Sequence, residues 1–111
     1  MMTVEHRLAT YGSLAPGRVN HHQLDGLEGT WRKGTVRGTL VESGWGAALG
    51  FPGLLLDEGG AAVDVLLFES LDLPDHWERL DAFEGAGYRR ERAKISTPDG
   101  QLEAFIYVLA P

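Results

Sequence analysis

The chain has no cysteine. Disulfide frameworks, thiolate nucleophiles and thiolate metal sites are thereby excluded, and the compartment expected is the cytoplasm. Long apolar runs are also lacking. No stretch approaches the roughly 18 residues that a membrane helix needs, and no cationic start leads into an apolar segment as a secretory leader would. Positive charge is in short supply, with ten Lys and Arg against sixteen Asp and Glu and a net charge of −6. That balance favours solubility and argues against a phosphate backbone, and so against nucleic acid, as the main partner. At 111 residues the expectation is one domain, 1–111, with one hydrophobic core.

Glycine is what the chain has in abundance, fifteen in all. They fall singly between short apolar runs, as tight turns require, rather than in one flexible tract. Residues 4 to 11, VEHRLATY, predict a first strand, and VNHHQLDGL after Gly17 predicts two turns of helix stopping at Gly26. TWRKGTVRGTLV, 30–41, places β-branched and aromatic residues between single glycines and predicts a strand, a bend or bulge, and a second strand. GWGAALGFPGL predicts a loop, and the nearly continuous apolar run 61–69 predicts a strand buried on both faces.

The clearest helix signal is LDLPDHWERLDAFEG. Asp72 or Leu73 can cap it, Pro74 suits its first turn, and Gly85 suits its end. Trp77, Leu80, Asp81 and Glu84 recur at helical spacing and share one face, apolar at the start and acidic at the end. A closing hairpin follows, turning at TPDG, 97–100, with apolar residues on both faces of its second arm. Together these elements predict an α+β domain with a mixed sheet curled by its glycines.

Several residues are candidates for chemistry. Glu84 ends the helix on the Trp77 and Leu80 face, so it points inward at the negative end of the dipole. Both effects raise a carboxyl pKa toward the range of a general base at neutral pH; the alternative is a frayed end reaching solvent. Gly12 and Ser13 lie in a loop of small residues between a strand and a helix, able to turn backbone N–H groups toward a carboxylate or oxyanion; the alternative is a long turn. GSLAPG lacks the lysine and the glycine spacing of nucleotide loops, and Ser13 is not in a nucleophile elbow. His21 and His22 are poorly disposed for one metal, His6 and His76 have no helpful spacing, and no structural metal is expected. Tyr88 and Tyr107 suit either a core role or partnership with a buried carboxylate. Arg89, Arg90 and Arg92 suit a solvated strand face opposing acids such as Glu103.

The order of YGSLAPG after the first strand, the following NH, FPGL, LDAFEGAGYRR and the final FIYVL resembles the gamma-glutamylcyclotransferase-like family. Tyr11, Gly12, Ser13 and Leu14, together with Leu80, Asp81, Glu84, Tyr88 and Arg90, carry the resemblance. It implies a small mixed β-barrel flanked by two helices, with the glycine loop and the glutamate meeting in one cavity. By position it implies Glu84 as catalytic acid/base, Tyr11, Gly12, Ser13 and Leu14 as the substrate loop, and Tyr88 and Tyr107 as walls. The implied reaction is cofactor-independent cyclisation of a gamma-glutamyl amide or amine to 5-oxoproline. Two rivals stand beside it: a non-catalytic module binding an amino-acid derivative, and a sister enzyme that releases a gamma-glutamyl group from a larger acceptor. One departure concerns the pocket, because Val63 is followed by Asp64, Val65 and Leu66 where the family often has Val-x-Gly-Glu.

Overall fold

The computed structural model describes residues 2–11, 24, 26–41 and 53–109. Among these residues six strands and one α-helix form in the order β1 (Arg7–Thr10), β2 (Thr30–Val41), β3 (Gly53–Leu56), β4 (Ala61–Glu69), α1 (Trp77–Glu84), β5 (Tyr88–Thr97) and β6 (Gly100–Leu109). The sheet order is β3-β2-β4-β1-β6-β5, and a further pairing of β2 with β5 closes five of the strands into a barrel. β1 and β6 run parallel; the other pairs are antiparallel. The result is a closed five-stranded mixed barrel with β3 as an extra strand, the barrel that the resemblance implies.

Closure explains why β2 departs from expectation. The segment predicted as strand, bend, strand is one continuous strand of twelve residues. Gly34 does not interrupt it. A Cβ there would sit 2.8 Å from Ile95 Cγ2 and 2.9 Å from the Ser96 carbonyl oxygen, next to the Thr35–Ser96 pair where β2 meets β5. The glycine lets two strands approach where the barrel shuts.

Alternation splits the apolar residues between the two sides of the wall. Ala9, Val36, Val63, Leu67, Ile95, Ala104 and Ile106 belong to one cluster. Leu8, Phe68, Trp77, Leu80 and Tyr107 belong to a second, in which α1 packs. The single core expected from chain length is therefore two layers sharing one wall. β6, paired on both sides by β1 and β5, feeds both layers, as its two apolar faces predict.

Other expectations shift by a few residues. Val4–His6 is a 3-10 turn, so β1 starts only at Arg7. The run 61–69 is one strand, β4, but its first turns of sequence are open, with Ala61, Ala62 and Asp64 exposed, and only its last residues are buried on both faces. The helix segment breaks in two: Leu73–Asp75 is a 3-10 turn with Pro74 near its start, and α1 begins at Trp77. Asp72 precedes the turn without capping it by its side chain and instead accepts a hydrogen bond from the Glu28 N–H at 2.9 Å. Gly85 ends α1 at φ 80°, a left-handed conformation that suits glycine. Of the predicted GWGAALGFPGL loop, the last two residues belong to β3, and the remainder lies outside the described residues, as do the helix expected after Gly17, apart from Leu24 and Gly26, and Gly12, Ser13 and Leu14.

Candidate active site

At one end of the barrel β1 and β6 finish and β5 begins, which brings Tyr11, Tyr107 and Tyr88 together. Parallel pairing sets Leu8 beside Phe105 and Ala9 beside Ile106, so the chain leaves β1 level with Tyr107. Tyr88 opens β5 opposite Leu109. α1 ends three residues before β5, so its last turn is delivered to the same end.

Glu84 occupies that turn. It is half-buried, and burial pushes its carboxyl up to about 7, because removal from water penalises the charged form. The expectation of a raised pKa is met, with burial as its cause. Its charge is felt by the Tyr11 and Tyr107 phenols, both pushed upward chiefly by their own burial. Tyr11 is also coupled to Tyr88. Glu84 therefore shares its surroundings with the tyrosines picked out from the sequence.

The hydroxyls of two of these tyrosines are committed to the fold. Tyr11 donates to the Tyr107 carbonyl oxygen at 2.7 Å and accepts from the Leu54 N–H at 3.1 Å. One side chain thus ties together the exit of β1, the start of β3 and β6. Tyr107 donates through its own hydroxyl to Asp81 Oδ1 at 2.7 Å. Neither phenol is poised as a proton donor to a substrate; both hold walls.

Arg90 corrects the expectation of a solvated arginine face. Its Nε donates to Asp81 Oδ1 at 3.0 Å and its Nη2 to Asp81 Oδ2 at 3.2 Å, while its guanidinium carbon lies 4.5 Å from the ring centres of both Trp77 and Phe105. The side chain is only 25% exposed. Stacking between two aromatics stabilises a guanidinium as water would not. The signal available was the LD-x-x-E spacing, which placed Asp81 near the helix end, but nothing in the strand pattern showed that Arg90 would reach it. Arg92 does oppose Glu103, at 3.7 Å, and Arg89 pairs with Glu91 at 2.7 Å.

Beside Tyr11 lies a depression of about 410 Å³ lined also by Gly38, Leu40, Ala61, Val63 and Asp64. It uses the last residues of β2 and the first of β4, the part of β4 whose Val-Asp-Val-Leu run departs from the family pattern. Among the described residues no group of three or more His, Cys, Asp or Glu could hold a metal ion.

This arrangement can be set against known proteins. Residues 8–111 match the family model described as gamma-glutamyl cyclotransferase, AIG2-like. Among solved structures, YkqA from Bacillus subtilis is 25% identical with a TM-score of 0.72; the match covers 94% of this chain and 35% of that one. An AIG2-like protein from Mus musculus is 25% identical with a TM-score of 0.73, covering 95% of this chain and 77% of that one. A uropathogenic E. coli-specific protein shares the fold at 23% identity and a TM-score of 0.73, with 99% and 81% covered. The chain thus spans about a third of YkqA and most of the other two. No curated protein gives a significant match. On the family match, which takes in nearly the whole sequence, the chain belongs to the gamma-glutamyl cyclotransferase, AIG2-like family.

Proposed function

We propose, with membership of that family as the premise, that this chain cyclises a gamma-glutamyl amide or amine to 5-oxoproline and releases the free amine, with Glu84 as its acid/base. The observation that carries the proposal is Glu84 itself, half-buried at the end of the barrel with its pKa raised to about 7. The substrate's α-ammonium group has an ordinary pKa of about 7.7–8.0, so proton transfer to Glu84 is close to balanced. The freed α-amine attacks the side-chain carbonyl of the same molecule, forming the C–N bond of the lactam. A tetrahedral oxyanion results. Its collapse breaks the original C–N bond as Glu84 returns the proton to the leaving nitrogen, and the surplus proton of the attacking nitrogen passes to the released amine, leaving a neutral lactam, an ammonium product and the Glu84 carboxylate ready for the next turn.

Nucleophile and electrophile belong to one molecule, so the protein's main task is to fold the substrate into attack geometry, an effect worth up to roughly 7–11 kcal/mol. Tyr11, Gly12, Ser13 and Leu14 form the substrate loop in this proposal, with backbone N–H groups toward the substrate carboxylate or the oxyanion, and Tyr88 and Tyr107 are walls. The chemistry as written draws on no cofactor, and the partner is a small gamma-glutamyl compound. No described helix is long and apolar enough to cross a membrane; a cytoplasmic enzyme acting on a dissolved metabolite accords with that, and the whole of 1–111 forms its domain.

The test is formation of 5-oxoproline from a panel of gamma-glutamyl compounds: dipeptides, simple gamma-glutamyl amines and the lysine-linked isopeptide. Turnover of any member, lost in Glu84→Gln, supports the proposal. Tight binding without turnover across the panel would instead identify a binding module.

A further inference from the structure

We propose that Asp81 is a positioning residue: through Tyr107 and Arg90 it clamps the last turn of α1 to the barrel and so fixes where Glu84 stands. The inference rests on the reading of Glu84 as the acid/base. Its geometry is independent of that reading. α1 has only eight residues, and its final turn is the part of a short helix that frays most readily. Asp81 is the residue one turn before Glu84 on the same face. Its main-chain carbonyl accepts the Gly85 N–H at 3.1 Å, closing the turn, and both of its carboxylate oxygens are engaged. Oδ1 receives the Tyr107 hydroxyl at 2.7 Å and Arg90 Nε at 3.0 Å; Oδ2 receives Arg90 Nη2 at 3.2 Å.

The clamp has an anchor on each side. Arg90, from β5, is held between Trp77, one turn earlier on α1, and Phe105 of β6, and those two rings meet edge to face at 5.3 Å. Tyr107, two residues along β6 from Phe105, is 5% exposed. Its carbonyl oxygen receives the Tyr11 hydroxyl. A chain of contacts therefore runs from the helix turn that bears Glu84, through Asp81 and Tyr107, to the exit of β1 where the substrate loop begins. A surface ion pair has no such consequence. Asp81 is 43% exposed, so its worth lies less in stability than in holding one turn at one height.

Glu84 supplies a readout that needs no substrate. Among the described residues, the ionisable groups that feel its charge are Tyr11, just past β1, and Tyr107 of β6; Tyr88 of β5 stands next to the first of these and the Asp81–Arg90 pair next to the second. With side-chain carboxyl carbons labelled, the Glu84 titration can be followed by NMR in wild type, Asp81→Asn and Tyr107→Phe, below the melting temperature of each. Asp81→Asn removes a charge, whereas Tyr107→Phe loosens the clamp with no change of charge. In both variants the Glu84 pKa is expected to fall by about one unit or more as the turn swings toward water. Turnover of the best gamma-glutamyl amide should fall about tenfold to a hundredfold in kcat, with KM changed by less than about threefold. Asp81→Glu should recover part of the loss.

An unchanged Glu84 titration in Tyr107→Phe, or a shift confined to Asp81→Asn, would overturn the proposal, since charge and not position would then be at work. Should Asp81→Asn fail to fold, Tyr107→Phe decides alone. The titration also separates the two readings: an active Glu84→Gln would remove the acid/base assignment, whereas a steady Glu84 titration would remove only the clamp.

Discussion

At the end of the barrel where β4 finishes, Glu69 is 8% exposed and is held by two guanidinium groups. Arg7 Nε lies 3.3 Å from Oε2, and Arg32 reaches Oε1 through Nε at 2.8 Å and through Nη2 as well, while its Nη1 extends to Asp99 at 3.2 Å. At the opposite end Glu84 is also drawn out of water, but its described surroundings are phenols and helix, and its pKa rises to about 7. The same functional group is thus used in two ways. A carboxylate bracketed by two guanidinium groups ties strands together. One whose pKa is raised by burial becomes able to take and return a proton near neutrality.

Exchanging each glutamate for glutamine is the strongest way to break this comparison. Glu84→Gln is expected to lower kcat by about 10² to 10⁴ while the barrel remains folded, measured as 5-oxoproline released per folded molecule. More than about a tenth of wild-type kcat would mean that Glu84 is not the base. Glu69→Gln should leave turnover nearly intact, because the ion network stands at the far end. Loss of turnover there comparable to that of Glu84→Gln would erase the distinction between the two ends.

The proposed substrate loop sharpens the contrast next. If its ligand groups are backbone N–H groups, Gly12→Val abolishes binding of a gamma-glutamyl ligand in calorimetric titration, and Ser13→Ala weakens it only mildly. Small, equal effects would reduce the loop to a turn. At the other end the expected effect is on stability alone. Glu69→Gln strips Arg7 and Arg32 of a common partner, and the cost should be about 3 kcal/mol, toward the low side for a broken buried pair because Arg32 is partly exposed. Chemical denaturation measures it.

How much of this was legible in the sequence differs between the two ends. The end that bears Glu84 was largely readable, because helical spacing put Glu84 on the face of Trp77 and Leu80, and because the Pro-Asp-Gly turn and two-faced β6 located the strand that carries Tyr107. Those are local patterns, and local patterns survive into the fold. The ion network was not readable. Arg7, Arg32 and Glu69 are far apart in the chain and meet because β1, β2 and β4 pair in one register, and Asp99, in the turn between β5 and β6, joins them where β5 closes on β2. Arg90 was misread for the same reason: strand alternation gives the face it occupies but not the helix laid over that face. The bend or bulge expected within 30–41 is instead a close approach of strands at Gly34, since a glycine that bends a strand and one that admits a neighbouring strand look alike in sequence.

The smallest expected effect is also the most direct comparison of the two carboxylates, because it uses stability alone. Glu84 has a folded pKa of about 7 against an ordinary value of 4.5, so the folded chain holds this proton more tightly than the unfolded chain. Its contribution to stability is fully present below pH 4.5 and is lost as pH rises through the window from 4.5 to about 7. Glutamine has no proton to lose. Glu84→Gln should therefore melt close to wild type at pH 4.5 and pull ahead as pH rises, reaching a gain of about 2 kcal/mol by pH 8. On the proposed reading, wild type accepts lower stability at the pH where its base must be ionised. Melting curves of the two proteins across this range measure the difference. A variant less stable than wild type at pH 8 would reveal that Glu84, like Glu69, is a carboxylate held in place by its partners, and the contrast between the two ends would vanish.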